Sequence, residues 1–432
     1  MSKKLWQKDV EVNKLIEQFT VGKDIEFDML LAEHDIKESA AHARMLEKVR
    51  LITKEDLEQL LPGLDAIGMQ IKKGTFKIEN GVEDVHSQIE LQLTKIAGEA
   101  GKKIHIGRSR NDQVLTALKL YLKSELVSII KQAEEVFEVF IKLSDKHKNI
   151  LLPGYTHFQI AMPSSFGLWL GAYAESLCDD MEMVVAAYNI CNKNPLGSAA
   201  GYGSSFPLDR KYTTELMGFA QMNTNSVYAQ MTRGKSEKAV AVALASIAQT
   251  LSKFSYDVCL YLSQNFGFIS FPEELTTGSS IMPHKKNPDV FELVRGKCNI
   301  IQGIPNQLTL LISNLPSGYH RDMQLTKEVL FPAIQQLKDC LDIIAFALPQ
   351  MKVNNNILAD TKYTYLYSVD ALNELVKKGM SFRDAYKKIG MDIKKGRFEK
   401  PAQLKHTHEG SINNLGTEKI RKQFRKIVAA VK

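Results

Sequence analysis

The sequence predicts an all-α protein of three helical domains with a long central helical bundle. Three observations carry the helical part of that expectation. Long windows lack glycine and proline, apolar residues recur within them at spacings of three, four or seven, and alternating strand patterns are sparse. Only 13 prolines and 26 glycines punctuate the 432 residues.

Taken in order, 27–51 and 82–97 read as helices. From Arg108 to Leu152 there is neither glycine nor proline. There Leu115, Leu118, Leu122, Ile129, Ala133, Val136, Phe140 and Leu143 form one apolar stripe. The window 163–187 is helical, as is the alanine-rich segment 238–262 inside a proline-free stretch from Leu208 to Phe271. A further helix is expected over 288–302. Helices of roughly 30 residues span about 45 Å, well beyond the usual ~12 residues, so they need partners along their length. A bundle answers that need. We place an N-terminal helical domain over 1–106, the central bundle over 107–355 and a small C-terminal helical domain over 356–432. No internal repeat or low-complexity linker occurs, and the basic stretch Lys394 to Lys400 reads as solvated surface.

Composition narrows the class. Hydrophobic residues make up 44% and charged residues 24%, which suits an ordinary globular enzyme and excludes a disordered chain. Lys and Arg number 56 against 49 Asp and Glu, a net charge of +7, without a basic stripe carrying interleaved aromatics. Nucleic acid is not implied. The cysteines Cys178, Cys191, Cys259, Cys298 and Cys340 are scattered and read as reduced thiols. Met1 to Asp9 lacks the apolar core of a secretory signal, and no apolar run approaches the ~20 residues of a membrane span. A cytoplasmic, membrane-free protein is expected.

Three segments offer chemistry. Gly278-Ser279-Ser280-Ile281-Met282-Pro283-His284-Lys285-Lys286-Asn287-Pro288-Asp289 can present amides, hydroxyls, a cation and a carboxamide around a small anion. By composition alone it is equally a plain loop. Gly107-Arg108-Ser109-Arg110-Asn111-Asp112-Gln113 opens the first long helix, where free amides and the helix dipole favour anions. It is equally an N-cap with surface arginines. Pro153-Gly154-Tyr155-Thr156-His157-Phe158-Gln159 is a turn with a potential acid or base, although a lone histidine is more often structural. The sequence holds no G-x-S-x-G elbow, P-loop, H-E-x-x-H or cysteine-rich zinc pattern. Gly201-x-Gly203-x-x-Phe206 lacks the last glycine of a dinucleotide loop. His406-Thr407-His408 is the only close histidine pair and reads as exposed surface. No metal is expected.

Together these segments resemble the fumarase, aspartase and argininosuccinate lyase superfamily, whose G-S-S-x-M-P-x-K-x-N-P signature stands complete from Gly278 to Pro288. Ser109 to Gln113, Tyr155 to Gln159 and Asn194 to Ser198 resemble the argininosuccinate lyase branch. So do the frame of Tyr319, Arg321, Asp322 and Gln324, and Phe382 to Tyr386. The resemblance covers nearly the whole chain. It implies reversible β-elimination of argininosuccinate to arginine and fumarate, in arginine biosynthesis, without metal or organic cofactor. It further implies Ser279 as base, Lys285 and Asn287 beside it, and His157 paired with Glu292 on the acid side. Substrate binding falls to Asn111, Thr156, Tyr319, Gln324 and Lys327, with Arg110 a further carboxylate partner. The family's homotetramer shares each active site among three subunits.

Departures from the family pattern are few. Asp24 stands where a serine is usual before Phe27-Asp28, Ile106 replaces a threonine, Met162 a glutamine, His320 an asparagine, and Gly234 the aspartate of Arg-Asp. Asp24 is expected either to bind the substrate's α-ammonium or to cap the helix beginning near Ile25. Rival readings are another succinyl lyase, such as adenylosuccinate lyase, fumarase or aspartase, and a catalytically idle structural protein.

Overall fold

The structure is a computed structural model and describes residues 14–431. The stretch Met1 to Asp9, read above as lacking a signal core, lies outside these residues.

Helices α1 (Lys14–Val21), α2 (Asp24–Asp28), α3 (Ala32–Lys48), α4 (Lys54–Lys72) and α5 (Val85–Ala97) come first. Leu46, Leu60, Leu64, Val85, Ile89 and Leu93 join in a core of their own there. The helix expected over 27–51 is divided. Its first part belongs to α2, a 3₁₀ turn covers Met29–Leu31, and α3 stops at Lys48. Three residues are too few for apolar spacing to tell a 3₁₀ turn from an α turn, which is why the pattern looked continuous. Helix α5 starts at Val85 because Asp84 caps it, its carboxylate accepting from the Ser87 amide at 2.6 Å.

Helix α6 (Arg110–Lys146) has 37 residues and is about 55 Å long. Every residue of the expected stripe, from Leu115 to Leu143, is buried. A capping box starts it: Ser109 accepts from the Asn111 amide while the Asp112 carboxylate accepts from the Ser109 amide at 2.9 Å. Strands β1 (Leu151–Thr156) and β2 (Gln159–Ser165) then form an antiparallel hairpin, followed by α7 (Phe166–Cys191). The helix expected from Pro163 therefore begins three residues later. Ser165 is its N-cap, its hydroxyl accepting from the Leu168 amide, and Pro163 pairs across the hairpin with Pro153.

Short elements follow: β3 (Lys193–Asn194), α8 (Arg210–Met217), β4 (Gln221–Met222), which pairs with β3 in parallel, and α9 (Ser226–Met231). Helix α10 (Lys235–Leu262), β5 (Ile269–Ser270), α11 (Asp289–Leu311), α12 (Thr326–Ala347) and β6 (Lys352–Val353) complete the central part. Helices α6, α7, α10, α11 and α12 share one core. At its centre Phe254 meets Phe140 edge-on, centroids 4.8 Å apart, and stacks on Trp169 at 5.6 Å.

Helices α4, α11 and α12 carry interior prolines, Pro62, Pro305 and Pro332, and the sequence reading missed α4, α12 and the second part of α11. Helix α11 continues past Gln302 through Pro305, and α12 runs through Pro332. An interior proline costs about 3 kcal/mol. Burying each large apolar side chain contributes roughly 1.5–3 kcal/mol, and Ile301, Leu308, Leu330 and Ile334 are all buried beside these prolines. Burial outweighs the local penalty.

Helices α13 (Ser368–Lys377), α14 (Phe382–Lys394) and α15 (Thr417–Val428) end the chain. Helix α15 returns to the central core, where Phe424 stacks on Phe137 with centroids 4.0 Å apart. His406, expected as exposed surface, is instead half-buried with its Nε2 2.6 Å from Asp370 Oδ1, a partner 36 positions away that the fold supplies; His408 is exposed. Among the described residues no helix is long and apolar enough to cross a membrane.

His42, buried in α3, donates from Nε2 to the Ile106 carbonyl at 2.9 Å. Burial, reinforced by Arg108, pushes its imidazole down to about 3. Between its unfolded value near ~6.5 and that depressed value, the unfolded chain binds a proton that the fold refuses. Stability attributable to His42 therefore falls by about 1.4 kcal/mol per pH unit on acidification through that window. His42→Gln keeps a donor without the titration, so its denaturant midpoint should drop less than that of the unaltered protein between pH 6.5 and 4.5. Parallel pH profiles would contradict the assignment.

Candidate active site

A cavity of about 260 Å³ lies where α2, the segment before α5, the start of α6 and the segment leading into α12 converge. Its wall carries four carboxylates, from Asp24, Asp28, Glu83 and Asp84, and four cations, from Arg110, Arg233, Arg321 and Lys327. Asn111, Tyr319 and Gln324 add neutral donors and acceptors. Balanced charge of both signs in one small cavity suits a ligand that itself bears several ammonium-type and carboxylate groups.

Lys327 is almost fully buried at the start of α12, its Nζ 2.5 Å from both Asp24 Oδ1 and Asp28 Oδ1. Two carboxylates around one ammonium leave a net negative charge. Burial, and then the neighbouring Asp28, push the Asp24 carboxyl up to about 6 despite Lys327. Asp24 does not cap a helix. It lies inside the first turn of α2, whose N-cap is Lys23, and its side chain points to Lys327. The expectation of a cap fails because the long-range cation, invisible in the local sequence, offers the better partner.

Gln324 donates to the Thr20 and Val21 carbonyls, and Arg321 to the Thr20 carbonyl and Glu83, so both pin the end of α1 to the cavity. Arg233 is held by Glu237 Oε1 at 3.1 Å and the Met323 carbonyl at 3.1 Å. The departure at Gly234 has a steric reason. Its φ is +79°, and a Cβ there would come within 2.7 Å of Ile312 Cγ2. Asp28, Glu83, Asp84, Ser87 and Arg233 were not assigned to the site from sequence, although the acidic pair just before α5 was the available signal.

The hairpin carries Thr156 at the end of β1 and His157 at its tip, all exposed. His157 and Phe158 both have positive φ, +54° and +56°. A two-residue hairpin loop of type I′ demands this, and glycine or asparagine usually meets the demand. Two bulkier residues hold strained backbone here, an arrangement associated with functional positions.

The segment from Gly278 to Lys286 is a loop closed at its base, where Thr277 and Asn287 pair in an isolated bridge. Ser279 is half-buried, with the amides of Ile281 and Met282 aimed at its Oγ from 3.4 and 3.2 Å. Asn287 Nδ2 faces the Thr277 hydroxyl and the Gly278 carbonyl. Lys285 is exposed, and Glu292 is exposed on the first turn of α11, 3.9 Å from Arg295.

A single chain thus groups the candidates in three places. The cavity gathers Asp24, Arg110, Asn111, Tyr319, Gln324 and Lys327. The hairpin tip holds Thr156 and His157, and the loop with the start of α11 holds Ser279, Lys285, Asn287 and Glu292; none of these six lines the cavity. Among the described residues no group of three or more His, Cys, Asp or Glu is arranged to hold a metal ion.

A long-helix bundle by fold, the chain is a lyase by family. The Lyase family matches residues 7–303, and the backbone superposes on EDDS lyase in complex with formate with a TM-score of 0.77, covering 98% of this chain and 91% of that one. At 19% identity that likeness is one of fold. Sequence relatives are far nearer. Argininosuccinate lyase of Bacteroides thetaiotaomicron is 58% identical over 99% of this chain and 96% of its own length. That of Bacteroides fragilis is 59% identical over 97% and 94%. The chain belongs to the argininosuccinate lyase family.

The start of α6 presents Arg110 and Asn111 only while its cap is intact. Asp112, fully buried, accepts from the amides of Ser109, Gly197 and Ala199 at 2.8–2.9 Å. Asp112→Asn turns one acceptor into a donor facing an amide, which should lower stability by about 1.5–3 kcal/mol. Chemical denaturation checks this, and a change under 0.5 kcal/mol would remove Asp112 as the anchor.

Proposed function

We propose that this protein catalyses reversible β-elimination of argininosuccinate to L-arginine and fumarate, as a cytoplasmic enzyme of arginine biosynthesis. The carrying observation is identity near 58% to argininosuccinate lyases over almost the full length. The cavity supports it chemically. Argininosuccinate bears a guanidinium, an α-ammonium and three carboxylates, matching a wall with four groups of each sign.

The reaction must remove a weakly acidic carbon-bound proton beside a carboxylate and expel nitrogen from the next carbon. In our reading Ser279 takes the proton. The two amides facing its Oγ stabilise the alkoxide it needs to become, and Lys285 and Asn287 receive the charge developing on the substrate carboxylate. His157, with Glu292 as partner, serves the leaving nitrogen. Arg110, Asn111, Thr156, Tyr319, Gln324 and Lys327 bind substrate, and Asp24 meets its α-ammonium.

The separation of cavity, hairpin and loop in one chain supports a homotetramer in which three subunits compose each site. We assign folding units to 1–106, 107–355 and 356–432, and no metal or organic cofactor to the reaction.

Purified protein supplied separately with argininosuccinate, adenylosuccinate, malate and aspartate should form fumarate from argininosuccinate alone; silence on all four would favour an idle structural protein. Ser279→Ala should lower kcat by about 10²–10⁴-fold while preserving argininosuccinate affinity in calorimetry, and near-normal turnover would end the assignment. Asp24 binds a cation only when ionised, and its carboxyl sits at about 6. Falling pH should therefore reduce kcat/KM through that value. Asp24→Asn should flatten this limb and raise KM more than it lowers kcat. Unchanged KM in Asp24→Asn would exclude the contact.

A further inference from the structure

Beneath Arg110 lies a buried polar chain that the mechanism above does not use. Arg110 Nη1 donates to Gln113 Oε1 at 2.5 Å. Gln113 Nε2 donates to both oxygens of Asp35 at 3.0 and 3.2 Å. Asp35 in turn accepts from His86 Nδ1 at 2.9 Å and from the Ser39 hydroxyl at 2.9 Å. Asp35 and His86 are fully buried and Gln113 is 1% exposed, whereas Arg110 reaches the cavity wall.

We propose that Gln113, clamped from below by Asp35 and His86, is a positioning residue that fixes the Arg110 guanidinium for a substrate carboxylate. The inference rests on the reading of Arg110 as a carboxylate partner. Donor and acceptor chemistry leaves little choice for the bridge. A guanidinium only donates and a carboxylate only accepts, so the group between them must accept on one side and donate on the other. A carboxamide does both. The amide orientation is thereby fixed: Oε1 toward Arg110, Nε2 toward Asp35.

The neutrality of this bridge matters. Around Arg110 two carboxylates lie within ion-pair reach, Glu90 at 3.5 Å and Asp84 at 3.6 Å, but the shortest contact is to the uncharged amide. A neutral acceptor fixes direction without adding a third negative charge beside the guanidinium. The buried charge beneath is settled separately. Burial alone would raise the Asp35 carboxyl, yet the facing His86, with Arg108 and Gln113, holds it well below the usual carboxylate range. Asp35 thus stays an acceptor, and its grip on Gln113 persists. Ser87 completes the setting, accepting from Arg110 Nη2 at 3.1 Å one residue after His86.

A double-mutant cycle on the full-length enzyme tests this, with thermal unfolding recorded for each variant. Gln113→Met removes the bridge at similar volume and should raise KM for argininosuccinate about tenfold with little change in kcat, the loss expected for one hydrogen bond to a charged group. In an Arg110→Ala background the same substitution should add nothing to KM. Gln113→Glu places a charged acceptor against Arg110 and removes the donor to Asp35, so it should raise KM as Gln113→Met does and lower the melting temperature as well. Independent, multiplicative effects on KM in the double variant would overturn the positioning role, as would a KM for Gln113→Glu within about twofold of that of the unaltered enzyme. Unchanged KM in Arg110→Ala alone would overturn the reading of Arg110 itself, and the positioning role with it.

Discussion

At 37 residues and about 55 Å, α6 carries an apolar face from Leu115 to Leu143 that has to be kept from water along its whole length. No single short helix can cover it. Helices α7, α10, α11 and α12 share its core, and α15 returns from the far end of the chain to stack Phe424 on Phe137. Salt bridges from Arg421 and Arg425 to Glu138 lie over that same contact. Covering α6 also fixes its first turn, because a rigid rod held along its length places its end. That end carries Arg110 and Asn111 into the cavity.

The cavity is an electrostatic device whose charges are paired before any ligand arrives. Lys327 sits between Asp24 and Asp28, Arg321 reaches Glu83, and Arg233 is tied to Glu237. A ligand of mixed charge can exchange for these partners at little cost, since each desolvated group trades one opposite charge for another. A purely anionic molecule would draw these cations away and leave acidic groups unpaired, which is expensive in a buried setting. Specificity on this account follows from what the cavity would leave unsatisfied.

Much of the site was legible before the fold was known, and for identifiable reasons. The loop from Gly278 to Pro288 stands out by residue type and spacing, and its likeness to the family signature marked it as a candidate. The N-cap read at the start of the first long helix is likewise a local signal, and the structure forms it at Ser109. Other features were not legible. The Lys327 contact with Asp24 and Asp28 joins groups about three hundred positions apart, and no local pattern announces it. His406 looked like surface because Asp370, its partner, comes from α13, 36 positions away. Gly234 looked like a simple departure until Ile312 was seen to occupy the space a side chain would need.

By itself the sequence determined the all-helical class, the existence and buried face of α6, and the family resemblance. Each of these rests on interactions between residues close along the chain, where spacing alone decides what faces what. Only the tertiary structure decided that α11 and α12 run through Pro305 and Pro332, since burial by distant partners had to exceed a local penalty. It alone decided that Asp24 serves Lys327 instead of a helix end. It alone assembled His86, Asp35, Gln113 and Arg110 into one chain of hydrogen bonds from three separate segments. Those outcomes depend on directions and distances between remote groups, and a linear pattern carries neither.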